Sequence, residues 1–139
     1  PDQMLDAIAD ADFVLVALPL TEGTRGLINA ACFERMKDTS YLINVARGPI
    51  VHESDLIDAL KAGKIAGAGM DVFETEPLPK ESPLWEMENV VMIPHLGGRS
   101  EEGGGNMQQI FIENLRRYVN GEELMNIIDK RKGYLIQNV

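Results

Sequence analysis

Cysteine is nearly missing from this sequence: Cys32 stands alone, so no internal disulfide can form. That fits a reducing cytoplasm, and the cytoplasm is the expected location. Cys32 lies among residues at helical spacing and reads as a packed thiol rather than a nucleophile. No apolar run approaches the roughly twenty residues of a membrane span, and the first residues carry no signal-peptide pattern. Positive charge is also short. Thirteen Lys and Arg against 22 Asp and Glu leave a net charge of −9. A nucleic-acid partner needs a basic face, and anionic membranes repel such a chain, so neither is expected as a partner. The His and carboxylate residues lack the local spacing of a ligand set, which argues against a bound metal. The Gly103–Gly105 run follows no strand pattern and lacks a Lys-Ser/Thr, so it does not read as a phosphate loop. No internal repeat appears. The chain opens at Pro1 without an initiator Met, which reads as a fragment or a processed product.

What is present is ordinary for one globular domain: 139 residues, 45% hydrophobic and 25% charged. Apolar runs without alternation, Phe13–Leu18 and Tyr41–Val45, predict strands buried on both faces. Ala66–Val72 and Val90–Ile93 predict two more. Between them lie helix patterns: Met4, Leu5, Ile8 and Ala9 at the start, a short helix after Asn29 as N-cap, and a helix from about Glu53 to Ala62 closed by Gly63. Residues 73–89, with Pro77, Pro79 and Pro83, predict a long irregular loop of the kind that carries function. The longest helix is expected over about 100–119, with Met107, Ile110, Phe111, Asn114 and Leu115 on one stripe and Asn120-Gly121 ending it. Strands alternating with helices imply βαβ units, hence a parallel sheet of about four strands flanked by helices, α/β in class and flavodoxin-like in outline. The tail beyond Glu122 is mixed, and Leu135 and Ile136 have no obvious partner.

Each notable polar residue falls at the carboxyl end of a predicted strand. Arg47 follows the second, Asp71 ends the third with Glu76 just beyond, and His95 follows the fourth. In a parallel sheet those ends share one edge, where ligands sit. Singly, each has a plain reading: a surface Arg, a turn-capping Asp, a solvated Glu, a loop His. Together on one edge they form an acid/base pair with an anion clamp. His95 can carry a proton near neutral pH, Glu76 can partner it, and Arg47 can grip a carboxylate or phosphate by its fork. His52 starts a helix and reads as solvated.

The segments Asn44-Val-Ala-Arg-Gly-Pro-Ile-Val-His-Glu, Ala68-Gly-Met-Asp-Val-Phe-Glu-Thr-Glu-Pro and Pro94-His-Leu-Gly closely resemble signatures of the D-isomer-specific 2-hydroxyacid dehydrogenases. Leu18-Pro-Leu-Thr-Glu-Gly-Thr-Arg-Gly-Leu-Ile is similar to the stretch that precedes them, and the likeness runs from about Asp12 to Asn126. The resemblance implies the second half of a Rossmann domain over 1–121, and a tail, 122–139, that returns to a substrate-binding domain. It implies an NAD-dependent oxidoreductase that interconverts a small D-2-hydroxy acid, such as 3-phosphoglycerate, and its 2-oxo acid. Arg47 would bind the substrate carboxylate, His95 would be the general acid/base, and Glu76 would orient it. Asp71 would contact the nicotinamide end. Leu18 and Pro19, the turn of Val45, Ala46 and Arg47, and Leu96, Gly97 and Gly98 beside His95 would line the cofactor. Two departures stand out. His52 replaces an acidic residue of the family, and no Gly-x-Gly-x-x-Gly turn precedes the likeness. The isolated chain is therefore expected to be almost inactive, with weak or no NAD binding. Its exposed first strand predicts a homodimer, domain-swapped in one form. The alternative is a non-catalytic, self-associating flavodoxin-like module.

Overall fold

The computed structural model describes residues 2–98, 103–131 and 134–135. They fall into two compact units, Pro1–Gly97 and Gly98–Val139.

The first unit is the α/β sheet. Its elements run α1 (Asp2–Ala9), β1 (Phe13–Val16), α2 (Ala30–Arg35), β2 (Tyr41–Asn44), α3 (Glu53–Lys61), β3 (Gly67–Met70) and β4 (Val90–Met92). The four strands are parallel and ordered as they occur in the chain. Strand pairing in sequence order forces each crossover helix to the same side, because right-handed crossovers all turn one way. Val16, Leu42, Asn44, Ala68 and Met70 point to that side and are buried with Ile8, Phe33, Leu56 and Leu60 from the helices. Each fully buried Leu or Ile there contributes about 1.5–3 kcal/mol.

Burial on both strand faces does not hold. Phe13 is 65% and Leu15 60% exposed, and Val91 on β4 is exposed as well. The cause is the topology: α1, α2 and α3 serve one face, and among the described residues of this unit no element covers the other. Phe13 and Tyr41, paired across β1 and β2, stack there with centroids 5.7 Å apart.

Local sequence explains the helix ends. Asn29 Oδ1 accepts from the Ala31 amide at 3.1 Å and caps α2. Asp55 in the first turn of α3 reaches back to accept from the Ala30 amide at 2.9 Å, tying the two helices. Glu53 and Asp55 at the start of α3 and Lys61 at its end match the helix dipole. Gly63, at φ +65°, ends the helix at the expected place. The irregular loop is present, with one 3₁₀ turn at Pro83–Glu86 capped by Ser82.

The second unit holds α4 (Gly103–Asn120) and a short antiparallel pair, β5 (Ile128–Asp129) and β6 (Tyr134–Leu135). The expected start of α4 at 100–102 and Ile136 lie outside the described residues. The tail hairpin was not legible in the sequence: Leu135 does have a strand partner, opposite Ile128. Asn114 binds the chain beyond the helix at both ends of its amide, accepting from the Met125 N–H at 2.7 Å and donating to its carbonyl at 3.2 Å. Met107 and Phe111 are exposed. No helix among the described residues is long and apolar enough to cross a membrane.

Candidate active site

The carboxyl ends of the four strands define one edge of the first unit, and three polar constructions are built there. The first is the turn that carries Arg47. Asn44, the last residue of β2, is fully buried, and its side chain has no apolar role. Its Oδ1 accepts from the Ala46 amide at 3.1 Å and its Nδ2 donates to the Arg47 carbonyl at 3.3 Å, folding the chain back on itself. Arg47 then stands exposed, its Nη1 donating to the Ala46 carbonyl at 2.7 Å. Gly48 has no alternative: a Cβ there would lie 1.8 Å from the Phe73 carbonyl oxygen. The turn thus lies directly against the backbone that leads to Glu76.

The second construction hangs on Asp71. It is 3% exposed at the end of β3, and both carboxylate oxygens are used. Oδ1 accepts from the Leu96 amide at 2.6 Å and Oδ2 from the Gly97 amide at 3.0 Å. A Cβ at Gly97 would come within 2.7 Å of that same carboxylate, so only glycine allows the approach. The His95 amide also donates to the Asp71 carbonyl at 2.9 Å. These bonds hold His95 at φ +53°, a conformation that a non-glycine residue adopts only when its surroundings impose it. The buried carboxylate therefore aims the imidazole.

The third is the pair itself. His95 Nδ1 lies 2.8 Å from Glu76 Oε2. An ionised carboxylate only accepts, so Nδ1 carries the proton and Nε2 is left facing outward for exchange. Glu76 Oε1 accepts from the Phe73 amide at 3.0 Å, which closes a tight loop around the carboxylate. The Glu76 carboxyl is held below its usual range, chiefly by the His95 hydrogen bond, then by the Phe73 amide, with the charges of His95 and Arg47 adding less. A cavity of about 580 Å³ with an apolar lining that includes Phe73, Leu78, Trp85 and Ile93 flanks the pair.

Arg47, Glu76, His95 and Asp71 are therefore all on one edge, as their strand positions imply. Glu76 and His95 are in contact. Arg47 reaches them through its field rather than by a bond. Of the residues expected along a cofactor, Leu18, Val45 and Leu96 present exposed apolar side chains at this edge, with Pro19 also exposed. Ala46 is buried, its amide spent on Asn44. Gly98 belongs to the second unit. A row of exposed apolar groups beside a cation and an imidazole suits a flat ring joined to charged groups, which is the chemistry of a nicotinamide dinucleotide. Among the described residues no group of three or more His, Cys, Asp or Glu gathers to hold a metal. Asn44, Gly48, Glu53 and Glu74 shape this edge without having been singled out. The one available signal was Asn44, a polar residue closing an apolar strand.

Comparison with known proteins shows the family. Residues 1–97 match the model of the D-isomer specific 2-hydroxyacid dehydrogenase, NAD binding domain. The chain is 45% identical over 124 residues to a glyoxylate/hydroxypyruvate reductase B of Cronobacter sakazakii; the match covers 89% of this chain and 38% of that protein. It superposes on a D-isomer specific 2-hydroxyacid dehydrogenase of Xanthobacter autotrophicus, solved with NADPH and MES, with TM-score 0.85 and 44% identity. That match covers 96% of this chain and 54% of the other. An NADPH-dependent glyoxylate/hydroxypyruvate reductase of Sinorhizobium meliloti, solved with NADP and sulfate, gives TM-score 0.83 and 36% identity, covering 95% of this chain and 43% of that one. The chain thus spans about two-fifths of the length of the curated relatives it matches.

Proposed function

The chain belongs to the family of D-isomer specific 2-hydroxyacid dehydrogenases through its NAD-binding domain, and we propose that its strand edge is the proton-transfer half of a site that interconverts a small 2-oxo acid and its D-2-hydroxy acid. The observation that carries this reading is the His95–Glu76 pair, held by Asp71 beside the exposed Arg47. The nicotinamide dinucleotide, when bound, supplies and accepts the hydride. Everything else falls to side chains. Arg47 binds the substrate carboxylate and places a cation where negative charge develops on the carbonyl oxygen. His95 delivers a proton from Nε2 to that oxygen in reduction and removes it in oxidation. Glu76 keeps the imidazole oriented through its bond to Nδ1. Leu18, Pro19, Val45, Ala46, Leu96 and Gly97 line the dinucleotide, and Asp71 stands at its nicotinamide end.

Residues 1–121 correspond in this reading to the second half of a Rossmann domain, with 122–139 leading back to a substrate-binding domain. The isolated chain binds NAD or NADP weakly and turns over little, because these 139 residues contain no Gly-x-Gly-x-x-Gly turn. Glyoxylate and hydroxypyruvate are the first substrates to try, ahead of 3-phosphoglycerate, since several of the relatives it matches are named as reductases of those two. β1 is a sheet edge with Phe13 and Leu15 exposed, which supports a homodimer, with domain swapping as one route. Light scattering that gave a clean monomer at micromolar concentration would remove that part.

The test is a chimera in which this chain replaces the matched segment of the Cronobacter sakazakii reductase. Loss of reduced-nicotinamide absorbance with glyoxylate or hydroxypyruvate is the expected result, with His95→Gln slower by about 100-fold or more. A folded chimera with no turnover, or a His95→Gln chimera as fast as its parent, would overturn the assignment.

A further inference from the structure

Two carboxylates that the proposed reaction does not use face each other beneath this site. Glu53 opens α3 and Glu74 lies in the loop after β3, 21 residues on. The Glu53 amide donates to Glu74 Oε1 at 3.1 Å, and the Glu74 amide donates to Glu53 Oε2 at 3.1 Å. Each carboxylate thus caps the other residue's backbone, a reciprocal clasp closed by two charge-assisted bonds. Like charges so close oppose one another, and half-buried Glu53 is held above the usual carboxylate range, by burial first and by the Glu74 charge in addition. A clasp retained against that cost has a structural task.

Its position suggests which. Glu74 sits between Phe73, whose amide binds Glu76 Oε1, and Glu76 itself. Gly48, one residue past Arg47, lies against the Phe73–Glu74 peptide. The turn of residues 47–51 is fixed on its other side by the Gly26 amide on the Pro49 carbonyl and by a parallel bridge between Ile28 and Val51. The clasp therefore joins the start of α3, two residues past that turn, to the short segment whose Phe73 amide and Glu76 carboxylate bond to each other beside His95.

We propose that Glu53 and Glu74 are positioning residues for the His95–Glu76 pair: their clasp fixes the Phe73–Glu76 segment on the Arg47 turn and so sets the carboxylate that orients the imidazole. This rests on the reading of His95 and Glu76 as the proton-transfer pair. Neither clasp residue touches the pair, so the action passes through backbone.

The test reads the chain itself by nuclear magnetic resonance, without cofactor or substrate. The carboxyl titration of Glu76 and the amide exchange of Phe73 are followed in the parent, Glu53→Ala, Glu74→Ala and Glu53→Gln. Glu76 is faced by His95 and Arg47, Glu53 by Glu74, and the neighbouring His52 is taken up by Asp55 at 3.0 Å. In both Ala variants the Glu76 midpoint is expected to rise toward its ordinary value and Phe73 exchange to quicken by about tenfold. Glu53→Gln keeps an accepting oxygen and should hold both readings at the parent values. A general loss of stability would not move the midpoint of a folded carboxyl. Because Glu74 is exposed, Glu74→Ala leaves the core intact and decides the matter even where Glu53→Ala fails to fold. Unchanged Glu76 and Phe73 readings in a folded Ala variant, or a Glu53→Gln that behaves like Glu53→Ala, would overturn the proposal. In the chimera the Ala variants should lower kcat by about tenfold with little change in KM. An inactive parent chimera would count against the reaction instead, and leave the titration result standing.

Discussion

Among the described residues two of the charge networks differ in kind, and the more conspicuous one is the less informative. On α4, Arg116 and Arg117 bind Glu113 and Glu122 through several contacts of 2.8 Å, and Glu113 is pushed down to about 2. At the strand edge, Glu76 and His95 make one bond of 2.8 Å, and Glu76 is lowered too. Arg116 and Arg117 stand three and four residues from Glu113, as helical spacing allows on any charged surface, and Glu122 joins from just past the helix end. The residues at the edge come from the ends of three different strands, β2, β3 and β4, one placed through a buried carboxylate and one beside a glycine that admits no Cβ. Function is marked by convergence from distant sequence, not by strength of pairing.

The comparison can be broken most sharply at Gly48. Gly48→Ala drives a methyl into the Phe73 carbonyl, and chemical denaturation should record a loss of roughly 3–5 kcal/mol. A near-neutral variant would mean that the Arg47 turn and the Glu76 loop are not interlocked. Next comes Asp71→Ala, which strips the acceptor from two amides. A loss of about 2–3 kcal/mol is expected in thermal unfolding, with fast amide exchange at Leu96 and Gly97.

Acid titration is subtler. Because the folded Glu76 carboxyl lies below the ordinary 4.5, its contribution to stability is present above that value and fades as pH falls through the folded midpoint. Glu53 has the opposite sign. Its raised midpoint means that its protonated form favours the fold, and that favour is lost as pH rises from 4.5 through the folded midpoint. Glu76→Gln should therefore flatten the acid limb of a stability profile, whereas Glu53→Gln should be neutral or slightly stabilising at pH 7. The smallest effect belongs to α4. Glu113→Gln should leave unfolding of the sheet unit unchanged, and any helix contribution should fade between pH 4.5 and about 2 and be screened by salt.

Most of the architecture was legible because it rests on local rules. Asn29 caps α2, Gly63 ends α3, and four apolar runs become four parallel strands. The edge location of Arg47, Asp71, Glu76 and His95 follows from that topology alone. Three things were not legible. The open face carrying Phe13 and Leu15 contradicts burial on both sides, since an apolar run does not reveal how many helices will cover it. The β5–β6 hairpin arises from pairs too short to show a period. The clasp of Glu53 and Glu74, and the fit of Gly48 against Phe73, depend on backbone approaches between segments over twenty residues apart, which no spacing rule encodes.

The most direct measurement is an amide resonance titration of this chain with NADH, repeated with NADPH, up to millimolar cofactor. The expected result is weak, saturable binding, with shifts concentrated at Leu18, Val45, Ala46, Arg47, Leu96 and Gly97. Shifts that fall on α4 instead, or none at all, would contradict the claim that the convergent strand edge is the functional one.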